Sequence, residues 1–165
     1  YSAHTNFDQV ADGTADVLAQ LLGLKDSVPV VPTQDGLGYG RVGNLPSPHS
    51  LDDLLALFQT QLNPPNLIHS PTADLQTIID RVAVLGGSGA SFMSAVAKTG
   101  AQAYLTSDCK FHQFQESRDL NLILIDAGHY ATERPACAKL VKKFQQQGVT
   151  WTQLSTTDDD FRQFW

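Results

Sequence analysis

The sequence predicts an α/β protein, and three observations predict it. Short apolar runs recur at Val82–Leu85, Ala103–Thr106 and Leu122–Ile125. Each run gives way to small or acidic turn residues: Gly86-Gly87-Ser88-Gly89, Ser107-Asp108 and Asp126-Ala127-Gly128. Stretches with apolar residues at helical spacing lie among them, so strands and helices alternate along the chain.

Composition bounds the class. A chain of 165 residues with 42% hydrophobic and 17% charged content can bury one sizeable core. The formal net charge is -6, and Lys139, Lys142 and Lys143 form the one basic cluster, which gives little support to a nucleic-acid groove. No apolar run approaches the roughly 20 residues a membrane span needs, and no signal-peptide pattern opens the chain. Cys109 and Cys137 show no CxxC spacing, which fits a reducing compartment; a cytoplasmic protein is expected.

The elements follow in order. Tyr1–Thr5 reads as a strand and Gly13–Leu22 as a helix with Val17, Leu18, Leu21 and Leu22 at helical spacing, stopped by Gly23. Val28–Thr33 carries Pro29 and Pro32 and reads as an edge strand or extended linker. The spaced glycines from Gly36 to Gly43 make a hairpin or bulge, or let backbone approach a ligand. Ser50 reads as an N-cap, with Asp52 and Asp53 in the first turn and Leu51, Leu54, Leu55 and Phe58 as the apolar stripe of a helix that ends before Pro64-Pro65. Asn63–Thr72 is expected to be an irregular connection with His69 on an exposed loop. Ile78–Leu85 is a buried strand, followed by a helix from Ser91. The last helix starts near His129, with Cys137, Leu140, Val141 and Phe144 on its packed face; Gly148 breaks it, and Val149–Leu154 alternates as a half-buried final strand should. The end, Asp158–Trp165, reads as a disordered tail or a packing anchor, its aspartates as solvated charge.

Chemistry concentrates at the ends of the apolar strands. Gly128-His129-Tyr130-Ala131-Thr132-Glu133 sets an imidazole and a carboxylate four residues apart where a strand turns into a helix, so both project from one helical face and can share a metal ion. The alternative is a helix start with Glu133 helping to cap the first turn. Ser2-Ala3-His4-Thr5-Asn6-Phe7-Asp8 has similar character, offering His4 and Asp8. Imidazole with carboxylate suits zinc, iron or manganese. Gly87, Ser88 and Gly89 form either an anion nest or a tight turn packing helix on sheet; the loop matches neither the Lys-Ser/Thr ending of a phosphate loop nor GxGxxG. At the next strand end Asp108 could orient a metal-bound imidazole or act as a base, Lys110 could neutralise phosphate and His112 could shuttle protons. The alternative there is a helix cap with solvated neighbours.

SAHTNFD, GRVGNL, VLGGSGASF, TSDCKFH and DAGHYATE occur in the order found in the NIF-three-like dinuclear-metal family, whose members are often labelled GTP cyclohydrolase type 2 homologues. The resemblance spans about residues 1 to 150. It implies a subunit with two metals between two α/β lobes, ring-shaped homohexamers, Asp8, His129 and Glu133 as ligands with His4 close by, and hydrolysis of a phosphorylated or nucleotide-like small molecule. On this reading 1–35 is the end of the first lobe, 36–125 the second lobe, and 126–165 the metal-ligand helix with a C-terminal strand. Two departures stand out: the sequence has no His-His dipeptide, which the family carries upstream of its HTNFD element, and Ser107-Asp108 replaces the more usual Gly-Asp. With Tyr1 in what reads as mid-strand, the chain is expected to be the C-terminal part of a longer protein, and the fragment alone to fall short of a full metal shell. The rival class is a noncatalytic protein that binds or delivers metal, or serves as a scaffold.

Overall fold

The computed structural model describes residues 2–34, 36–71 and 74–164. In chain order the elements are α1 (Thr5–Asp8), α2 (Thr14–Leu21), β1 (Lys25–Val28), β2 (Val31–Pro32), β3 (Gly38–Tyr39), β4 (Arg41–Ser50), α3 (Leu51–Leu62), β5 (Ile68–His69), β6 (Ile78–Ser88), α4 (Met93–Lys98, after a 3₁₀ turn at Ala90–Phe92), β7 (Ala103–Ser107), α5 (Phe111–Asp119), β8 (Ile123–Asp126) and α6 (His129–Gln146). Six strands form one sheet in the order β1-β4-β6-β7-β8-β5, and β2 and β3 form a separate antiparallel pair. The β6-β7 and β7-β8 pairs are parallel, the outer pairs antiparallel.

Period-two alternation sorts side chains onto the two faces of this sheet. Val42, Ala83, Tyr104 and Leu124 are register partners in a row across four strands. They pack with Met93 and Val96 of α4 and with Phe114 of α5 on one face. The adjacent row, Val82, Ala103 and Ile123, packs on the other face with Leu18 of α2, Leu51, Leu54 and Phe58 of α3, and Ala131 of α6. Residues from 1–35, 36–125 and 126–165 therefore share one sheet and its two helical layers. Ser50 caps α3 as its sequence implies, its Oγ accepting from the Asp53 amide at 3.1 Å. Arg41, 5% exposed, pairs with Asp16 and donates to the carbonyls of Gly38 and Gly40 at 2.8 Å. That fastens α2 to the turn entering β4.

Several expectations need correction. Tyr1 lies outside the described residues, Ser2–His4 is irregular, and Thr5–Asp8 is a helical turn rather than strand. Val149–Leu154 is turn and irregular chain, so its alternation has no neighbouring strand to serve. Cys137 is exposed, and Phe144 is 45% exposed; α6 packs instead through Ala131, Thr132 and Ala136, the small residues that let a helix approach the sheet closely. The edge strand β1 is exposed throughout and gave no apolar signal. The ten-residue β4 is masked by Pro46 and Pro48, which sit where its register to β6 shifts between Asn44 and His49. Helix α5 is mostly polar, with Ser117 its fully buried residue. Asn63–Pro71 contains the two-residue strand β5, where His69 is half-buried and Nδ1 meets the Ser70 carbonyl at 3.0 Å; Thr72 lies outside the described residues.

Phe58 is fully buried whereas Phe144 is not. Phe58→Ala is expected to cost about 3–5 kcal/mol in urea unfolding, and Phe144→Ala about 0.5 kcal/mol or less.

Candidate metal centre at the carboxyl ends of the parallel strands

Parallel pairing places the carboxyl ends of β6, β7 and β8 side by side, so their exit loops meet at one edge. Asp126, the last residue of β8, stitches two of them together: Oδ2 accepts from the Cys109 amide at 2.8 Å and Oδ1 from the Gly128 amide at 2.9 Å. Gly128 turns the chain into α6 with φ +81°, a conformation that favours glycine. His129 is consequently the first residue of α6, and Glu133 follows one turn later on the same face.

The imidazole is held from both sides. Its Nδ1 lies 2.6 Å from Asp108 Oδ2, and its Nε2 lies 3.1 Å from Glu133 Oε1. An ionised carboxylate only accepts, so Nδ1 carries the proton toward Asp108. Asp108 adopts φ +54°, a left-handed conformation that an acidic residue tolerates better than most, and one that clusters at functional sites. The β6 exit approaches the pair closely: Gly87 has φ +67°, and a Cβ there would collide with the Glu133 carboxylate and lie 3.2 Å from His129 Nε2. Bare backbone at Gly87 leaves room beside the two side chains.

From the amino-terminal end, α1 brings His4, Thr5 and Asp8 to the same cleft, which Tyr39, Leu85, Gly86, Ser88, Phe92, His129 and Glu133 complete. The opening acidic residue thus shares one cleft with the imidazole and carboxylate encoded far downstream. Burial raises the Asp8 carboxyl above its ordinary value, against the lowering effects of the Thr14 hydrogen bond, His4 and His129. Burial also raises Glu133, with Asp8 adding repulsion and His129 opposing. For His129, burial lowers the pKa, but the Asp108 hydrogen bond and the Glu133 and Asp108 charges prevail and the net shift is upward. These acids crowd together around a deficit of positive charge.

Other expected site residues are placed differently. The Gly87 amide donates to Thr132 Oγ1 at 3.0 Å and the Gly89 amide to Thr106 Oγ1 at 2.9 Å, so both already have acceptors, and the loop serves packing of α6 and β7. Ser88 is exposed and lines the cleft. Lys110 caps α5, its amide donating to Gln113 at 2.7 Å, and neither it nor His112, exposed on α5, lines the cleft. The Cys109 thiol is pushed far above its ordinary value by burial and then by Asp126 and Asp108, which keeps it a protonated thiol. Asp126 as a clamp and Arg162, which reaches to 3.9 Å from Asp108, had no spacing signal in the sequence. Both act through contacts that only folding creates.

Whether the donors fit a metal turns on this geometry. His129 and Glu133 lie about as far apart as two ligands of one ion with bonds of roughly 2.0–2.2 Å, and the Asp108 hydrogen bond on Nδ1 is the support that metal-bound imidazoles commonly have. Among the described residues, no group of three or more His, Cys, Asp or Glu side chains stands close enough together to hold an ion. The donor types, their carboxylate support and the space at Gly87 fit a divalent ion, while the set gathered by this chain is short of a full shell.

The fold and site define an α/β protein with a His-carboxylate cleft at the carboxyl edge of its parallel strands. Its residues 1–159 match the Duf34/NIF3 (NGG1p interacting factor 3) family model, and the chain belongs to that family. It is 74% identical over 164 residues to a GTP cyclohydrolase 1 type 2 homolog of Nostoc sp. (strain PCC 7120 / SAG 25.82 / UTEX 2576), covering 99% of this chain and 62% of that protein. A protein of the same name from Clostridium perfringens (strain 13 / Type A) is 30% identical, covering 89% of this chain and 56% of that one. The chain therefore spans less than two thirds of the length of these relatives. Among solved structures, a Bacillus cereus protein related to NIF3 superposes with TM-score 0.84 at 18% identity, covering 99% of this chain and 73% of that one. Reduced HcgD from Methanocaldococcus jannaschii superposes with TM-score 0.73 at 30% identity, covering 88% and 56%. Among the described residues no helix is long and apolar enough to cross a membrane.

Two outcomes follow from the crowded charges. Raised folded-state values for His129, Glu133 and Asp8 mean that the native state binds more protons than the unfolded chain. The associated stability is present at low pH and lost as pH rises through the folded values. In chelator, the melting temperature is expected to be higher at pH 6 than at pH 8, through the imidazole, and the carboxyls extend the gain toward pH 5; a flat or inverted profile would contradict this. Gly87→Ala, strained at φ +67° and pressing on Glu133, is expected to lower unfolding free energy by about 1–3 kcal/mol.

Proposed function

We propose that this chain supplies part of a divalent-metal centre, with His129, Glu133 and Asp8 as ligands and His4 beside them, in a metal-dependent hydrolase of a phosphorylated or nucleotide-like small molecule. The single observation that carries the reading is His129 supported by Asp108 on Nδ1 while Nε2 faces Glu133 across the space left by Gly87. That contact supports the orienting role, one of the two expected for Asp108. Bound divalent ions would lower the pKa of a coordinated water and polarise the electrophilic centre. The chain's own groups hold that chemistry in place: Asp108 fixes the imidazole and its tautomer, and packing of α6 through Ala131, Thr132 and Ala136 fixes the direction of the pair. Burial raises the Glu133 and Asp8 carboxyls above their ordinary values, and a bound divalent ion would favour their ionised forms. The name of the Nostoc and Clostridium relatives, GTP cyclohydrolase 1 type 2 homolog, supports the nucleotide-like class. Family membership also supports a homo-oligomer, which we take to be a cytoplasmic ring of six subunits.

A second reading, a noncatalytic metal carrier or scaffold, is favoured by one observation. Asp108 spends Oδ2 on His129 and His112 stands outside the cleft, so neither residue expected to move protons is free there. Metal content and turnover separate the two. The full-length protein is expected to bind zinc, iron or manganese, and His129→Ala to weaken binding at least about 100-fold, since one ligand is lost. Turnover of phosphoesters or cyclic amides that vanishes in His129→Ala supports the hydrolase; tight binding with no turnover supports the carrier; no metal uptake overturns both.

A further inference from the structure

The carboxyl-terminal segment, which runs on past the family-matched residues 1–159, folds back over the first turns of α6. Tyr130 Oη donates to the Asp158 carbonyl at 3.0 Å, Arg134 Nε lies 3.3 Å from Asp158 Oδ2, and Arg134 Nη2 donates to the Ser155 carbonyl at 3.3 Å. His129, Tyr130, Glu133, Arg134 and Cys137 face Asp158–Arg162 across a second cleft. The segment is therefore a wall of the site, in keeping with the packing anchor of the two readings its sequence left open.

Within it, Arg162 is clamped. Its amide and Nε donate to Asp160 Oδ1 at 3.0 and 3.1 Å, and Nη2 donates to Oδ2 at 2.9 Å. The guanidinium lies 5.7 Å from the centroid of the Phe164 ring. It also seats against the bare Cα of Gly128, where a Cβ would come within 2.9 Å of Nη2. Nε and Nη2 are thus engaged, and Nη1 is left 3.9 Å from Asp108 Oδ1. Asp108 is the carboxylate that holds His129, through its other oxygen. An exposed ion pair usually gains little because two long side chains must be ordered to make it. Here Asp160, Phe164 and Gly128 have already ordered the arginine, and Asp108 is a short side chain on a fixed loop.

We propose that Arg162 is a positioning residue for His129: it fixes the Asp108 carboxylate from the side opposite the imidazole, so that the carboxyl terminus sets the orientation of the histidine. The inference extends the proposed metal centre but concerns the imidazole alone, so its test needs no metal. In the full-length protein under chelator, the Nδ1 proton shared by His129 and Asp108 is expected as a downfield proton NMR resonance, assigned by its loss in Asp108→Asn. In Arg162→Ala that proton is expected to exchange with water about two- to fivefold faster, the scale of one partly exposed ion pair, with Arg162→Lys restoring most of the protection. Raising salt to about 1 M, where the screening length is about 3 Å, is expected to move the wild type toward Arg162→Ala and leave that variant unchanged.

Melting temperature serves as the control for a general loss of structure. Wild-type exchange in Arg162→Ala, equal acceleration in Arg162→Lys, or no assignable proton in the wild type would each overturn the proposal. Failure of metal uptake with the exchange result intact would remove the metal reading and leave this one standing.

Discussion

One interaction organises the site: the hydrogen bond from His129 Nδ1 to Asp108. It joins the exit of β7 to the start of α6, and so requires β7 and β8 to be parallel and adjacent with their ends level. It also sets which imidazole nitrogen remains for Glu133, and thereby for any ion held there. The sheet delivers the partners, and Asp126 keeps the two loops from separating by accepting an amide from each.

Electrostatics around that bond explain why an acidic chain gathers carboxylates at one edge. Burial at Asp8 and Glu133 makes ionisation costly, and each charge opposes the other. Such an arrangement persists because the fold imposes it, and positive charge on His129 or His4 relieves it. That charge balance is the physical content of the metal reading proposed above.

Small residues carry much of the geometry. Gly87 and Gly128 let backbone and the arginine approach where a side chain would intrude, and Ala131 and Ala136 bring α6 close to the sheet. The glycine-rich loop after β6 left two readings open in the sequence, an anion nest and a tight packing turn. Its spacing fits an anion nest, but Thr132 and Thr106, both distant in sequence, take its Gly87 and Gly89 amides.

By itself the sequence determined the apolar strands β6, β7 and β8, the capped helix α3, the strand-to-helix turn at Gly128 and the placing of His129 and Glu133 on one helical face. All of these are local: periodicity, capping and turn chemistry act over a few residues. Only the tertiary structure decided that His4 and Asp8 meet that face, that Asp108 contacts His129 rather than standing free, that Lys110 and His112 turn away, and that Arg162 comes back to the cleft. It also decided that Val149–Leu154 forms no strand and that β1 and β4, polar or proline-bearing, do. Those outcomes rest on pairing and charge contacts between residues far apart in the chain, whose energies exist only once the sheet has brought the partners together.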